Sequence, residues 1–492
     1  MNKHRILLIR PPVVSHQALS SAERVHHMYH IPISILYLAT TLSHHFEISI
    51  LDYETLHLWS EPAPLEAAKE VLIKSLDDLR PFMVGISCQS TPMLRTALEL
   101  AETVKDFQPA VNVVMGGIPP TVFSQSILLE CPQVDYVLKG EGDHSVVELA
   151  LALSNGDLRP DVDGLTFRDP AGQVVDQPKR SYIQNLDTLP RPAYELFDFD
   201  AYRSNDFTLT WHNPKNLPIV APIGLFTSRG CTQNCNFCTR FHSMGAGYRV
   251  RSARHVLDEI EWLYHERGSR YFFLHDDSFS ASRRRTLEIC RGIVERKLDI
   301  QLSTTAGMAM NTLDTEVVDA LVEAGLVWMT FALESGSDHI RNQVMGKRLP
   351  VKRLRQCVAD FKRHREVMLI GMFIMGMPED TPETLMDTYH LIEELGLDRA
   401  TLANAVPYHG TALYRQCLQD GLLLFNPDEW RNGELWNSGR GGQQFFLKPY
   451  RMQIEELAAH RQRLDKLIDE TKSERFRRLS SESAQLAKNL GD

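Results

Sequence analysis

Six short apolar runs recur through the second half of the chain at intervals of roughly 27 to 47 residues. They are IGLFTSRG from position 223, RYFFLHDD from 270, DIQLSTTA from 299, VWMTFALES from 327, MLIGMFIMG from 368 and ATLANAVPY from 400. Amphipathic stretches such as HVLDEIEWLYHERG and LRQCVADFKRHR separate them. Strand and helix repeated at this interval imply parallel strands joined by right-handed crossovers. Six units fall short of the eight that close a barrel, so the expectation is an open, partial (β/α)6 barrel of the TIM type. In such folds chemistry sits where strands end and loops begin.

The first ~150 residues carry a different rhythm. RILLIR, FEISILD, FMVGIS, VNVVMGG and VDYVLKGEG are short apolar runs ended by Gly, Asp or Pro, with helix-like segments between them. Such runs suit strands buried on both faces of a parallel sheet. The expectation is a Rossmann-like, doubly wound α/β domain over residues 1–154, with ligands at the carboxyl ends of its strands. Residues 155–222 are rich in Gly, Pro and Asp and read as a linker, with one hairpin-like turn in DPAGQ. The barrel spans 223–415, and 416–492 reads as a helical C-terminal region dotted with aromatics, with one or two surface helices over 452–490.

Composition narrows the class. Hydrophobic residues make up 43% and charged residues 24%, ordinary for a globular protein, and no apolar run approaches the ~18 residues that cross a bilayer. ILLI near the start is too short for the apolar core of a signal peptide, so a cytoplasmic protein is expected. A net charge of −10 argues against a chain-wide nucleic-acid footprint, and the basic runs ASRRRT and SERFRRL read as solvated helix faces. Five of the eight cysteines lie far apart, which is no disulfide framework.

The other three, Cys231, Cys235 and Cys238, fall on one loop, SRGCTQNCNFCTRF, directly after the first barrel strand. Three thiolates on a short loop serve zinc or an iron–sulfur cluster. His242, four positions after Cys238, could close a tetrahedral zinc site, which would make this a zinc-stabilised binding module. A cubane needs only three protein ligands and leaves one iron open for chemistry.

C-x3-C-x2-C with Phe237 just before the last cysteine resembles the signature of the radical S-adenosylmethionine (SAM) superfamily, whose loop follows the first strand of a partial barrel. The resemblance implies that Cys231, Cys235 and Cys238 hold a 4Fe–4S cluster and that SAM completes it. It further implies SAM contacts from Glu334 and Ser335 in FALESGS, and from Gly376 in GMFIMGMPEDT, where a missing side chain would let the adenine approach. FLHDDSF replaces the Gly-Gly-Glu of many members, and Asp276 and Asp277 stand in its place. An Asp-Asp there and the Pro-x-x-Gly-Thr of VPYHGTALY resemble the cobalamin-binding branch of the superfamily.

The first domain resembles the cobalamin-binding domain of the same branch in VGISCQST, VVMGGIPPT and VDYVLKGEGD. That implies cobalamin contacts from Cys88, Ser90, Gly116, Gly117, Thr121 and Glu141. No G-x-G-x-x-G follows the first strand, which lowers a dinucleotide reading. The D-x-H-x-x-G loop that offers histidine to cobalt is also absent: Asp143 and His144 are adjacent, at the wrong spacing. His16, His26, His27 and His30 lack regularly spaced carboxylate or cysteine partners and read as a loop near the cofactor.

The activity implied is reductive cleavage of SAM to a 5′-deoxyadenosyl radical and, most commonly in this branch, methylation of an unactivated carbon by way of cobalamin. A small metabolite or peptide-derived precursor is the expected substrate, read by residues such as Tyr408, His409, Trp430 and Trp436. A flavodoxin- or ferredoxin-type electron donor is the expected partner, with no nucleic acid. Cyclisation, rearrangement and transfer of SAM's 3-amino-3-carboxypropyl group use the same scaffold. A methylthiotransferase fits less well, because only Cys88 and Cys131 lie in the first domain and form no second cluster motif.

Overall fold

Ile6, Leu7, Leu8 and Ile9 are all buried, so the first strand has no solvent face and must lie inside a sheet covered on both sides. In the computed structural model, which describes residues 4–12, 32–56, 63–199, 212–217, 223–304, 308–431 and 444–489, that is where it lies. Strand β1 (Arg5–Arg10) runs parallel between β2 (Glu47–Asp52) and β3 (Met83–Ser87). The sheet continues through β4 (Asn112–Gly116) and β5 (Tyr136–Leu138), giving the order β2-β1-β3-β4-β5. Helices Ile33–Ser43 and Ser145–Ser154 cover one face and helices Pro64–Leu79, Leu94–Phe107 and Ser124–Glu130 the other. The order reverses between β1 and β3, and such a switch point leaves a crevice outside the strand ends.

The stretch read as a linker adds two strands to this sheet. β6 (Leu165–Arg168) and β7 (Val174–Asp176) form an antiparallel hairpin on the β5 edge. The turn is made by Asp169, whose side chain accepts from the backbone N–H of Ala171 and Gln173, while Gly172 takes a φ of +79°.

The six runs of the second half form one parallel sheet. Its strands are β8 (Ile223–Leu225), β11 (Tyr271–Leu274), β12 (Gln301–Thr304), β13 (Leu326–Glu334), β14 (Met368–Met375) and β15 (Arg399–Asn404). Their order is β15-β14-β13-β12-β11-β8, so among the described strands the edges β15 and β8 are not bonded and the barrel stays open. Ser252, Asp314, Thr381 and Thr411 N-cap four of the helices that follow, which ends each loop at a defined residue. The region after the barrel is less helical than its polar sequence suggests: between Gln419 and Ile454 the described chain is irregular apart from a Leu423–Leu447 bridge. Helix Ile454–Thr471 is no mere surface helix, because Leu457, Leu464, Leu467 and Ile468 enter the barrel core. No helix among the described residues is long and apolar enough to cross a membrane.

Candidate active site

A second hairpin, of only three residues a side, carries the cysteine loop. β9 (Ser228–Gly230) pairs antiparallel with β10 (Tyr248–Val250), and the loop between them holds all three clustered cysteines. Two glycines close its neck. Gly230 has a φ of +81°, and a Cβ there would stand 2.0 Å from the carbonyl oxygen of Gly247.

The thiols face one another's charge: Cys235 and Cys238 each feel Cys231. Burial pushes the Cys235 thiol up to about 12, against the pull of Lys347. Burial also raises the Cys238 thiol, against the Arg240 N–H and guanidinium. The backbone N–H of Gln233 points at Cys231 Sγ, 3.3 Å away. Among the described residues no three His, Cys, Asp or Glu side chains close to single-ion distance. His242 turns aside and packs on Gly410, where an added Cβ would lie 2.6 Å from its ring. Three thiols ringed by N–H donors and cations, without a fourth side-chain ligand, fit a polynuclear cluster better than a closed zinc site.

The residues expected around SAM gather at the same mouth but differ in availability. Asp276 is buried, and its Oδ1 accepts from Thr227 Oγ1 at 2.9 Å and from Ser228, so it braces the hairpin from behind. Asp277 is exposed, within electrostatic reach of Arg240. Glu334 ends β13 where the pairing with β14 slips, and holds a left-handed φ of +66°. Such strain in a non-glycine residue persists only where its surroundings enforce it, and it clusters at functional sites. Its Oε1 accepts from Lys347 Nζ at 2.7 Å. The Ser335 hydroxyl accepts from the N–H of Ser337 within its own turn. Gly376 turns at a φ of +82°, and Asp380 Oδ2 accepts from the N–H groups of Gly376 and Met377 at 2.9 and 2.8 Å. Phe237 packs against the cluster of Ile340, Met345 and Met377.

Facing the cysteine hairpin is a cavity of about 350 Å³ at the β1/β3 switch point of the first domain. Leu8, Gly85, Val114 and Gly116 form its floor, and Ile35, Leu38 and Val146 from two helices form its apolar wall. Gly85 keeps the floor low, because a Cβ there would meet Leu8 at 2.9 Å. The slot is apolar, deep and glycine-floored, which fits the flat base of a cobalamin tail. Of the predicted contacts, Gly116, Gly117 and Glu141 line it. Cys88 instead packs in the core behind, its thiol raised by burial, and its carbonyl occupies the space a Cβ on Gly117 would need, 1.9 Å away. Ser90 is exposed; Ser87 and Gln89 line the cavity. Thr121 ties two loops together, donating to the Gly117 carbonyl at 2.7 Å and accepting from the Gly140 N–H at 3.0 Å.

Glu141 meets arginines of the barrel. Arg249 lies 2.7 Å from its Oε1 and Arg229 3.3 Å, and Arg229 also grips Asp143 with two bonds. Tyr37 stands in the same buried group and accepts from Arg251 at 3.3 Å. Arg229 and Arg249 escape a motif reading. The signal present is complementary spacing, carboxylates at 141 and 143 against arginines on one short hairpin.

Of the aromatics expected to read a substrate, Trp430 is buried and stacks on Phe123 of the first domain, and His409 meets the same ring edge-on at 4.8 Å. Tyr408 packs with Val406 and Phe446. Trp436 and the four histidines between 16 and 30 lie outside the described residues.

Three thiols at the carboxyl mouth of a partial barrel, on a hairpin whose Arg229, Ser243 and Met244 line a large apolar slot, define an iron–sulfur enzyme that works with a second, bulky cofactor. The model of the radical SAM superfamily matches residues 225–392, and that of the B12 binding domain matches 24–150. An uncharacterized methyltransferase of Pyrococcus horikoshii is 31% identical over 425 residues, 86% of this chain and 85% of the relative. The cytidylyl-2-hydroxyethylphosphonate methyltransferase of Streptomyces wedmorensis is 27% identical, over 81% of this chain and 79% of its own. The solved structure of TsrM from Kitasatospora setae, a radical S-adenosylmethionine methyltransferase with cobalamin and a 4Fe–4S cluster bound, shares the fold. Its TM-score is 0.67 at 20% identity, covering 94% of this chain and 84% of TsrM. The chain belongs to the radical SAM superfamily, in the branch with a B12-binding domain, and its cofactors are a 4Fe–4S cluster, SAM and cobalamin.

Proposed function

We propose that this enzyme is a cobalamin-dependent radical SAM methylase of an unactivated carbon in a small metabolite or natural-product precursor. One observation carries the reading: Arg229 lines the cobalamin slot and stands two positions before Cys231. The methyl-carrying site and the SAM-cleaving site therefore share one mouth. The methyltransferase relatives support the same outcome.

When bound, the cluster supplies the electron that breaks a SAM carbon–sulfur bond, and cobalamin supplies the methyl group. The chain's part is to hold and exclude. Cys231, Cys235 and Cys238 would ligate three irons. Asp277, Glu334 and the Gly376 turn would bind SAM, with Ser335, Phe237 and Asp276 shaping the loops that present them. Gly116, Gly117 and Glu141 would contact cobalamin, and Thr121 and Cys88 would fix the backbone that does so. Buried Arg229, Asp143 and Glu141 would tie the two halves together at the lining of the slot. The cobalamin-binding unit would include the β6–β7 hairpin, which belongs to its sheet. A flavodoxin- or ferredoxin-type protein would deliver the electron.

The test is anaerobic reconstitution with cobalamin, SAM and candidate substrates, followed by product analysis. Methylation predicts 5′-deoxyadenosine, S-adenosylhomocysteine and a product heavier by one methyl group. Deoxyadenosine with an unmethylated, rearranged or cyclised product would end the methylase reading. Methylthioadenosine in its place would mark aminocarboxypropyl transfer.

A further inference from the structure

The segment after β13 is built onto the cysteine loop. Arg341, fully buried, donates to the carbonyls of Leu349 (2.7 Å) and Ser335 and so knots the chain around the π-helical turn His339–Val344. From that knot the backbone reaches across. Asn236 donates its N–H to the Met345 carbonyl at 3.0 Å and its side-chain amide to the Val344 carbonyl at 2.8 Å. Gly346, at a φ of +76°, lets the strands of chain approach, since a Cβ there would lie 3.1 Å from the Asn234 carbonyl. The next residue is Lys347, whose position is thereby set relative to Cys235. A Cβ on Gly346 would stand 4.0 Å from Cys235 Cα, and the Lys347 ammonium donates to Glu334 Oε1 at 2.7 Å, which ties the lysine to the end of β13 beside the cysteine loop.

Resting on the radical SAM reading above, we propose that Lys347 is a positioning residue for the iron–sulfur cluster, a fixed cation beside Cys235 and Cys231 that raises the cluster's reduction potential, with Glu334 as the counter-ion that limits the effect. The reasoning is electrostatic. Reduction adds one electron, taken from the external donor, to a site already crowded with thiolates. A nearby positive charge stabilises the reduced state and a nearby negative charge opposes it, strongly where water is excluded. Glu334 lies 2.7 Å from the ammonium and cancels part of its field.

The two residues therefore predict opposite shifts, which a merely structural role would not. The experiment is an EPR-monitored redox titration of anaerobically reconstituted full-length protein, without added SAM, alongside iron and sulfide analysis. Lys347→Met should move the cluster midpoint to more negative potential, Lys347→Arg should leave it near wild type, and Glu334→Gln should move it positive. A wild-type midpoint in fully loaded Lys347→Met overturns the proposal. Should Lys347→Met fail to assemble a cluster, Glu334→Gln decides: it keeps the lysine, and an unmoved or negatively shifted midpoint overturns the proposal. Wild-type protein that holds no reducible cluster would instead refute the reading on which the proposal rests.

Discussion

Arg229 and Asp143 meet in a two-bond fork, Nη1 to Oδ2 at 2.8 Å and Nη2 to Oδ1 at 2.9 Å, across the seam between the two halves of the chain. Both side chains are buried, and Glu141 approaches the same guanidinium at 3.3 Å. Removing Arg229 leaves the buried Asp143 carboxylate without its partner, although Glu141 keeps Arg249, and a buried charge left unpaired costs more than the pair itself contributes. Arg229→Ala should lower stability by about 3–5 kcal/mol. Arg229→Lys should recover only part, because an ammonium cannot reproduce the planar fork. Denaturant unfolding of the three proteins, read by domain-specific probes, checks both statements.

The cysteines should sort into two groups. Alanine at Cys231, Cys235 or Cys238 should bring iron to background and abolish SAM cleavage. Cys88→Ala should keep full iron and cost only about 1–2 kcal/mol of stability, the price of a small buried cavity. Iron analysis with visible absorption separates the groups. A brown, fully loaded Cys235→Ala protein would break the assignment.

Two glycines with positive φ should respond differently. Gly117→Ala places a Cβ 1.9 Å from the Cys88 carbonyl, and backbone cannot swing away as a side-chain tip can. A loss of about 3 kcal/mol or more is expected, with loss of cobalamin retention. At Gly376 the nearest atom to an added Cβ is Leu457 Cδ2 at 3.4 Å, an ordinary contact. Gly376→Ala should therefore cost only about 1–2 kcal/mol, for the left-handed backbone alone. A much larger drop in SAM affinity, measured by equilibrium dialysis, would report on the ligand and not on folding.

Asp380 gives a pH dependence with a definite sign. Burial raises its carboxyl from 3.8 to about 6, against hydrogen bonds from Thr384 and the Met377 and Gly376 amides. A folded-state pKa above the unfolded one means that the protonated acid fits the fold better. Its stabilising contribution is complete below pH 3.8 and is lost as pH rises through about 6. The swing is about 3 kcal/mol. Asp380→Asn can still accept the two backbone N–H groups and donate to Thr384, without the titration. Relative to wild type it should gain stability between pH 4 and pH 7, by roughly that amount. A difference independent of pH would refute this.

Much of the architecture was legible because buried parallel strands are written as unbroken apolar runs. RILLIR and YFFL have no polar face to hide the signal, and β1 and β11 lie where they fall. The cysteine loop was legible because metal ligation constrains spacing directly. The β9–β10 hairpin was not, since three residues a side leave no alternation to detect. It is held by the close approach of Gly230 to Gly247, a contact between positions 17 apart. Ion pairs were barely more legible, since the spacing of their charges means something only once the hairpin that carries the arginines is known. Nothing in EGD says that Glu141 will meet Arg249, and the carboxylate read as facing a cofactor also faces the other half of the protein. Neighbours in FLHDDSF likewise diverge beyond the end of β11: Asp276 turns inward to Thr227 and Asp277 stays exposed.

The unbonded edges β8 and β15 carry one more consequence. A strand edge without a partner invites pairing with another chain. Helix Ile454–Thr471 packs beside β15, with Arg461 donating to Asn404 Oδ1 at 2.9 Å, so a chain shortened before Ile454 would lose that cover and become prone to self-association.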